Sequence, residues 1–556
     1  MRSDSTRDVI VLGAGAGGFA AACSAAARGL RVLLLEKTPW VGGTAAISGG
    51  MVWIPANTKM AGAGLTDSEA AARAYLGATL SAGARPALVE AFLREGPAAI
   101  DWLEARTALR LKPVVRYPDY YPSLPGATPG GRVLEPVGYD ARALGADLAL
   151  LRPPLPEFTL FGGMMVDRAD LPHLRAVTRS PRSMARVARL LVRHARERLA
   201  APRGTSLVLG NALVARLLRS ARDLGVEIRT RAEVARLQRD ERGVSGVELR
   251  DGARIAARRG VVLAAGGFSH DAQRRARWLP QGADPASPVC EGDAGDGLRL
   301  GESAGGRVAE GNLHNAYWAP MSKFRRADGS AAVFPHTVAD RGKPGIIAVN
   351  ARGERFTSEA VSYHEFALAM FRAGAIPAFL LCDRRSLWQY GLGAVRPFTL
   401  RPGRFLSQGY LASGRALADL AGSLGVEREG LERTVAQYNA DAVRGVDTRF
   451  NLGGDVYQRY LGDAAHGPNP CMRPIEQPPF YAVRLHPSDL GTAAGLVTDA
   501  DARVLDRDGR PIAGLYACGN DMNSIMGGAY PGPGITLGPA LVFGWLAARS
   551  LAGSAA

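Results

Sequence analysis

Apolar and polar positions along the chain change period several times, and the first change falls close to its start. Asp8-Val-Ile-Val-Leu12 is a short apolar run of the kind that forms a strand buried on both faces. An Ala-rich amphipathic stretch, Phe19 to Arg28, follows; Gly29 ends it, and Arg31-Val-Leu-Leu-Leu-Glu36 is a second apolar run. The pattern predicts strand, turn, helix, strand. Further strands are expected at Gly260-Val-Val-Leu-Ala264, Gly345–Asn350 and Ala378–Asp383, and a surface helix at Gly430–Val443. The stretch Arg179–Arg203 is helical in period and strongly two-sided. At about 100° per residue, Arg182, Arg186, Arg189, Arg193 and Arg196 share one face. Met184, Val187, Ala188, Leu191, Val192, Ala195 and Leu199 fill the other. Pro/Gly-rich segments at 113–136, 150–163 and 466–479 read as long loops, which tend to carry function.

The turn inside the first unit holds the first candidate chemistry: Gly13-Ala-Gly15-Ala16-Gly17-Gly18. Gly13 allows the tight turn, Gly15 lets backbone approach a pyrophosphate, and Gly18 lets the helix pack close on the strand. The helix N-terminus offers free N–H groups to the phosphates. Glu36 closes the second strand, where a carboxylate accepts from ribose hydroxyls. The cofactor is narrowed by the loop after that strand, Lys37-Thr-Pro-Trp-Val-Gly42-Gly43-Thr44 and then Ser48-Gly49-Gly50. A nicotinamide dehydrogenase needs no second glycine loop there, whereas a flavoprotein chain must pass between pyrophosphate and isoalloxazine. The Ala265-Gly266 turn resembles the second FAD-contacting turn of two-dinucleotide-fold flavoproteins. Gly519-Asn520 and Gly534-Ile-Thr536-Leu537 resemble the closing FAD strand and the helix N-terminus beneath the flavin pyrimidine. The expected fold is α/β, a Rossmann-like FAD-binding domain of the two-dinucleotide-fold type with an inserted α+β catalytic domain.

Composition sets outer limits. At 556 residues the chain exceeds what one core usually supports, so two domains are expected. Residues 1–318 are read as the first part of the FAD-binding domain, with a basic helical insertion at about 150–203. Residues 319–483 are read as the catalytic domain, and 484–556 as the second part of the FAD-binding domain. The net charge is +16, nearly all of it Arg, since Lys occurs only at 37, 59, 112, 323 and 343. No basic motif interleaved with aromatics accompanies that charge, so nucleic acid is not an expected partner. The cysteines, Cys23, Cys290, Cys382, Cys471 and Cys518, are odd in number and show no metal-ligand spacing. Neither a disulfide framework nor a metal site is expected, and a reducing, cytoplasmic setting fits. No secretory pattern opens the chain, and no apolar stretch approaches the ~18 residues needed to span a bilayer.

Taken together, these motifs resemble the fumarate reductase/succinate dehydrogenase flavoprotein superfamily over nearly the whole chain. That resemblance implies FAD. Some members attach it through a His in the loop matching residues 42–50; this loop has none, so non-covalent FAD is expected. The superfamily signature R-F-x-N-E-x-x-x-R-D corresponds here to Arg355-Phe-Thr-Ser-Glu359-Ala-Val-Ser-Tyr363-His364. Tyr363 stands where an Arg would protonate a dicarboxylate, and a phenol cannot pair with a diacid as a guanidinium does.

Tyr363, Tyr530-Pro-Gly-Pro-Gly534 and Tyr117-Pro-Asp-Tyr120-Tyr121-Pro together resemble the 3-ketosteroid Δ1-dehydrogenases. Asp489-Leu-Gly-Thr-Ala-Ala494-Gly-Leu matches that family's D-L-G-T-x-G-G-L only in part, Ala494 replacing a glycine. The resemblance implies 1,2-desaturation of a 3-ketosteroid. Tyr530 O–H and the Gly534 N–H would hold the ketone oxygen, Tyr363 would take the C2 proton as tyrosinate, and Tyr120 would lower its pKa. Tyr317 and Tyr121 are candidates for the pocket wall, and His364 for its rim. No nicotinamide site beyond the FAD fold is visible, so a quinone or carrier protein is the expected electron acceptor. The basic amphipathic helix, Arg182 to Leu199, is expected either on the inner membrane face or packed on the FAD domain. In the first case the chain resembles a branch acting on side-chain-bearing ketosteroids such as cholest-4-en-3-one. Three alternatives stay open: a Δ4-(5α)-ketosteroid dehydrogenase, a fumarate-reductase-like reductase of an activated alkene, and a flavin-binding assembly protein without catalysis.

Overall fold

The computed structural model describes residues 6–80, 83–178, 180–201 and 203–553. Met1–Ser5, ahead of the first strand, and Arg179, at the head of the basic segment, lie outside the described residues.

Unbroken apolar runs make the centre of an eight-stranded sheet. Its main path runs Arg503–Leu505, Pro511–Ala517, Arg254–Leu263, Thr6–Leu12, Val32–Leu35, Glu227–Arg229. The four inner pairings are parallel, with Ile10 opposite Leu33 and Val261, and Val262 opposite Tyr516. Parallel strands covered on both faces bury every residue, which is why Val9, Ile10, Val11, Leu33 and Leu34 are inaccessible. One cover is the Ala-rich helix Ala16–Ala26 crossed by the C-terminal helix Leu537–Ala552. The crossing is close enough that a Cβ on Gly544 would stand 2.6 Å from the Gly17 carbonyl oxygen. Larger residues there would push the two helices apart.

A second sheet is antiparallel and runs Ala331–Pro335, Ala316–Arg325, Phe480–Thr492, Ala378–Asp383, Ile346–Val349, with Leu411–Gly414 also on Phe480–Thr492. Alternation along its strands divides two cores. Ile346, Ala348, Leu380 and Cys382 face one with Phe366 and Met370; Ile347, Val349, Phe379 and Leu381 face the other with Leu431 and Tyr438. The boundaries read near 318 and 483 both fall inside strands, and those two strands pair with each other, Trp318 opposite Asp489.

The basic helix spans Pro181–Ala200 and does not lay its whole apolar stripe against the protein. Only Ser183, Val187, Leu190 and His194 are buried. Met184, Leu191, Val192 and Leu199, the last 90 % exposed, face outward. The buried face is rotated about a third of a turn from the apolar stripe. Two polar contacts set that rotation: His194 Nε2 with the Phe161 carbonyl oxygen at 3.1 Å, and Arg186 Nε donating to buried Asp170 at 2.8 Å. Among the described residues no helix is long and apolar enough to cross a membrane.

Candidate active site

The glycine turn after the first strand is shaped as its spacing requires. Gly13 has φ +95°, and a Cβ there would stand 2.2 Å from the Ala264 carbonyl oxygen. At Gly15, Gly43 and Gly519, by contrast, no other group lies within 4 Å of where a Cβ would be. These three open onto one continuous cavity of about 2490 Å³. A single small ligand fills roughly 300–1,000 Å³, so the cavity has room for a dinucleotide and a substrate together.

Around it stand Ala16, Gly17, Glu36, Lys37, Thr44, Ser48, Gly49, Gly50, Ala265, Gly266, Asn520, Gly534, Thr536 and Leu537, all read as cofactor contacts from the sequence. Gly18 and Gly42, read likewise, do not reach it. A Cβ on Gly18 would meet the Gly13 carbonyl oxygen at 1.9 Å, and one on Gly42 would meet the Ala46 Cβ at 2.6 Å. They shape the turn and the loop without lining the space.

Glu36 is held by two backbone donors, Ala14 N–H at 3.0 Å on one oxygen and Thr38 N–H at 2.9 Å on the other. Each oxygen keeps a lone pair for a ribose hydroxyl. Lys37 pairs with Asp296. Two acids escaped the sequence reading. Asp293 lines the cavity and accepts from Thr44 Oγ1 at 2.7 Å; burial, helped by the Glu36 and Asp521 charges, drives its carboxyl far up. Asp521 accepts from Ala265 N–H at 2.5 Å and Gly267 N–H at 3.0 Å, clamping the Ala265-Gly266 turn to the last strand; burial pushes it up to about 6. For Asp293 the available signal was the Gly/Asp alternation Gly292-Asp293-Ala-Gly295-Asp296-Gly297.

The tyrosines come from three distant segments. Asp119 anchors the first, accepting from Trp53 Nε1, Thr128 N–H and Arg132, all within 3.0 Å. Tyr120 N–H and Tyr75 Oη both donate to the Pro531 carbonyl oxygen, at 3.1 and 2.6 Å, joining this segment to the Tyr530 loop. Tyr363 opens the helix Tyr363–Arg372, capped by Ser362 Oγ accepting from Glu365 N–H at 3.2 Å. The approach to that helix is fixed by Arg355, whose guanidinium is shared between buried Glu359 and Asp447 at 2.6–3.0 Å. The signature Arg and Glu thus hold the backbone that presents Tyr363.

Tyr363 Oη donates to Tyr530 Oη at 2.8 Å. Tyr120 lies behind both, its ring centre 5.8 Å from Tyr363 and 5.6 Å from Tyr530. Its hydroxyl is buried without a well-formed hydrogen bond, yet lies close enough to favour a Tyr363 anion. Burial, with the other phenols nearby, holds Tyr363 well above 10, and burial alone pushes Tyr530 to about 12. Gly534 N–H, at the turn into the C-terminal helix, meets no acceptor among the described residues.

Tyr317 lines the cavity, edge-on to Tyr530 and donating to Ser524 at 2.8 Å. Tyr121 corrects the reading: it turns from the pocket and donates to Glu365 at 2.8 Å. His364 is buried, not at the rim; its Nδ1 accepts the Trp318 N–H at 3.1 Å, and burial drives its pKa down to about 3. Ala494 packs on Phe268 and Leu298 away from the cavity.

The FAD binding domain model matches residues 8–537. The chain is 36 % identical to 3-oxosteroid 1-dehydrogenase of Mycobacterium tuberculosis, covering 99 % of this chain and 98 % of that protein. It is 38 % identical to 4-oxocyclohex-2-ene-1-carboxylate 5-dehydrogenase of Sinomonas cyclohexanicum, covering 98 % and 93 %. The solved 3-ketosteroid delta1-dehydrogenase from Sterolibacterium denitrificans superposes with a TM-score of 0.92 at 38 % identity, covering 99 % of this chain and all of that one. The chain belongs to the 3-ketosteroid Δ1-dehydrogenase family. As a member it is an FAD-dependent oxidoreductase acting on CH–CH bonds. The open space at Gly15, Gly43 and Gly519, with Glu36 beside it, fits that cofactor.

Proposed function

We propose that this enzyme desaturates the C1–C2 bond of 3-ketosteroids. The observation that carries the reading is the buried Tyr363–Tyr530 hydroxyl pair beside the unclaimed Gly534 N–H, in one cavity with the dinucleotide cradle. Bound non-covalently, FAD supplies the hydride acceptor for C1. The rest falls to side chains. A C2 hydrogen is acidic only while the C3 ketone is polarised, so donors must already face the oxygen on which charge develops. In the resting pair Tyr530 Oη accepts from protonated Tyr363; with Tyr363 ionised, Tyr530 O–H turned to the ketone and Gly534 N–H make two donors for that oxygen. Tyr363 as tyrosinate takes the C2 proton, and Tyr120 behind it favours that anion. Tyr317 forms the wall against Tyr530.

The outer cavity favours a large apolar substrate, because Phe158, Phe161, Leu171, Val338, Trp388 and Phe398 line it. The Sterolibacterium relative was solved with 1,4-androstadiene-3,17-dione, a ring system of suitable size. The Sinomonas relative is named for a small ketocarboxylate, for which such a wall has no use. Anaerobic mixing separates the two readings. A 4-ene-3-ketosteroid should bleach the flavin and yield the 1,4-diene-3-one. Bleaching by 4-oxocyclohex-2-ene-1-carboxylate alone, or a 4-ene product from a saturated steroid, would overturn the assignment.

The six outer side chains are also solvent-exposed, as are Met184, Leu191, Val192 and Leu199 on the neighbouring helix. Flanked by the arginines of Arg182–Leu199, this surface suits the inner, anionic face of a membrane, each Arg contributing about 1 kcal/mol. A side-chain-bearing substrate such as cholest-4-en-3-one would then enter from lipid, with electrons leaving to a quinone or carrier protein. Flotation with anionic liposomes should fail for R186E/R189E/R193E; equal flotation would remove the membrane reading.

A further inference from the structure

Five arginines are buried among the described residues, and four of them have their charge or their donors claimed. Arg132 pairs with Asp67 and Asp119, Arg152 with Glu291, and Arg355 with Glu359 and Asp447. Arg341 gives its donors to the carbonyl oxygens of His336, Thr337, Glu359 and Val361. Arg473 differs. It is 4 % exposed, and its side chain reaches two acceptors among the described residues, both neutral. One terminal nitrogen donates to Gln389 Oε1 at 2.8 Å and the other to Ser386 Oγ at 2.7 Å. Nε packs beside Gly345 without an acceptor. Each terminal nitrogen of a guanidinium carries a pair of hydrogens, so each here keeps one to give.

Arg473 borders the large cavity, together with Gln389, Arg385 and Lys343. That end lies past the tyrosine cluster. Tyr460 stacks on Tyr117 with 4.6 Å between ring centres, and the next two residues, Leu461 and Gly462, give their carbonyl oxygens to Lys343 Nζ at 2.5 and 2.7 Å. Asp463 follows and borders the cavity too. It accepts Tyr390 O–H at 2.7 Å and Ala465 N–H at 3.1 Å, and Gln389 Nε2 at 3.4 Å links it to the Arg473 site. Asp383 stands behind Ser386, its oxygens accepting the N–H groups of Ser386, Glu476 and Gln477 at 2.8–3.3 Å. Neither carboxylate is an acceptor for the Arg473 guanidinium. Arg385 is exposed and borders the same end, so like charges share it. A buried cation with donors unfilled, beside a second cation and in a wall that also carries Val338, Trp388 and Phe398, is an arrangement that binds an anion.

We propose that Arg473, with Arg385 beside it, is a carboxylate subsite at the end of the cavity remote from Tyr530 and Gly534, and that the preferred ketosteroids carry a side chain ending in a carboxylate. The inference rests on the desaturase reading above and narrows its substrate. With the C3 ketone on Tyr530 and Gly534, a ring system that passes Tyr117 and Tyr460 brings the C17 chain to Arg473. A carboxylate there accepts the leftover N–H groups in charge-assisted hydrogen bonds, which an ester or a hydrocarbon end cannot match. A hydrocarbon end would instead leave a desolvated cation with its donors bare. Arg473 thus sets the preference among ketosteroids and takes no part in the removal of hydrogen.

The test compares kcat/KM, on FAD-loaded enzyme at neutral pH, for two 4-ene-3-ketosteroids that differ only at the end of the C17 chain: a free carboxylate and its methyl ester. The wild type should favour the acid by about tenfold or more, with the difference in KM. R473M should bring the acid-to-ester ratio to near unity, and R473K should keep part of it. Q389E puts a carboxylate on the guanidinium at the acceptor it already uses, and should likewise bring the ratio to near unity. That variant decides the matter if R473M does not fold. A wild-type ratio near unity, or a ratio that R473M or Q389E leaves unchanged, overturns the proposal while the steroids still react. A wild type whose flavin neither steroid bleaches overturns the desaturase reading instead.

Discussion

Replacing Tyr363 by Phe removes one oxygen from the centre of the site and little else. The ring keeps its edge-on contacts with Tyr120 and Tyr530, at 5.8 and 5.5 Å between centres. The folding cost is then one buried hydrogen bond, about 1 kcal/mol. The catalytic cost is larger, since removing a general base lowers kcat by roughly a hundredfold to ten-thousandfold. The pH profile separates that loss from a packing effect. Burial holds the Tyr363 phenol well above 10, and the reactive form is the major one only above that value. At pH 7 fewer than ~1 in 1,000 molecules carry the anion, so wild-type kcat/KM should climb about tenfold per pH unit. The Phe variant should be slow and flat between about pH 6 and pH 10. Its KM should change little, because Tyr530 and Gly534 remain. Steady-state rates and single-turnover flavin bleaching read both quantities. A Phe variant that keeps the alkaline limb, or loses less than about tenfold in kcat, would remove Tyr363 as the base.

Gly15→Leu should abolish FAD retention on gel filtration while apo-protein stability stays within about 1 kcal/mol, since the side chain enters open space; retained flavin would show that the cradle lies elsewhere. Arg355→Met leaves Glu359 and Asp447 buried without their cation and should destabilise by about 3–5 kcal/mol in denaturant titration, with R355M/E359Q/D447N recovering much of it. His364 is buried neutral with its pKa near 3, so its contribution is complete above pH ~6.5 and is lost as pH falls through the interval below. H364Q should therefore show a shallower acid limb of stability; an unchanged limb would place the acid sensitivity in other groups.

The parts of the site most legible in the sequence are those where backbone geometry dictates residue type. Gly13 and Gly15 are needed by a turn and an open approach, and Glu36 follows from the end of a buried strand. Tyr363 could be found because Arg355 and Glu359 keep its register. The illegible parts depend on partners far along the chain. Tyr121 turns away for Glu365, and the basic helix rotates for Asp170 and Phe161. A helical wheel records which residues share a face and has no means of saying which face meets the protein. Asp293 and Asp521 acquire meaning only when distant loops close around them.

The buried triad of Arg355, Glu359 and Asp447 bears on how a lineage acquires new chemistry. It fixes the path of the chain into position 363 without using the side chain there. Position and reactivity are thereby inherited separately. The side chain at 363 can therefore be changed while the anchor stays intact. The same independence makes residue 363 a rational site for saturation libraries, in which most variants should still fold and load FAD, and selection would then act on the reaction alone.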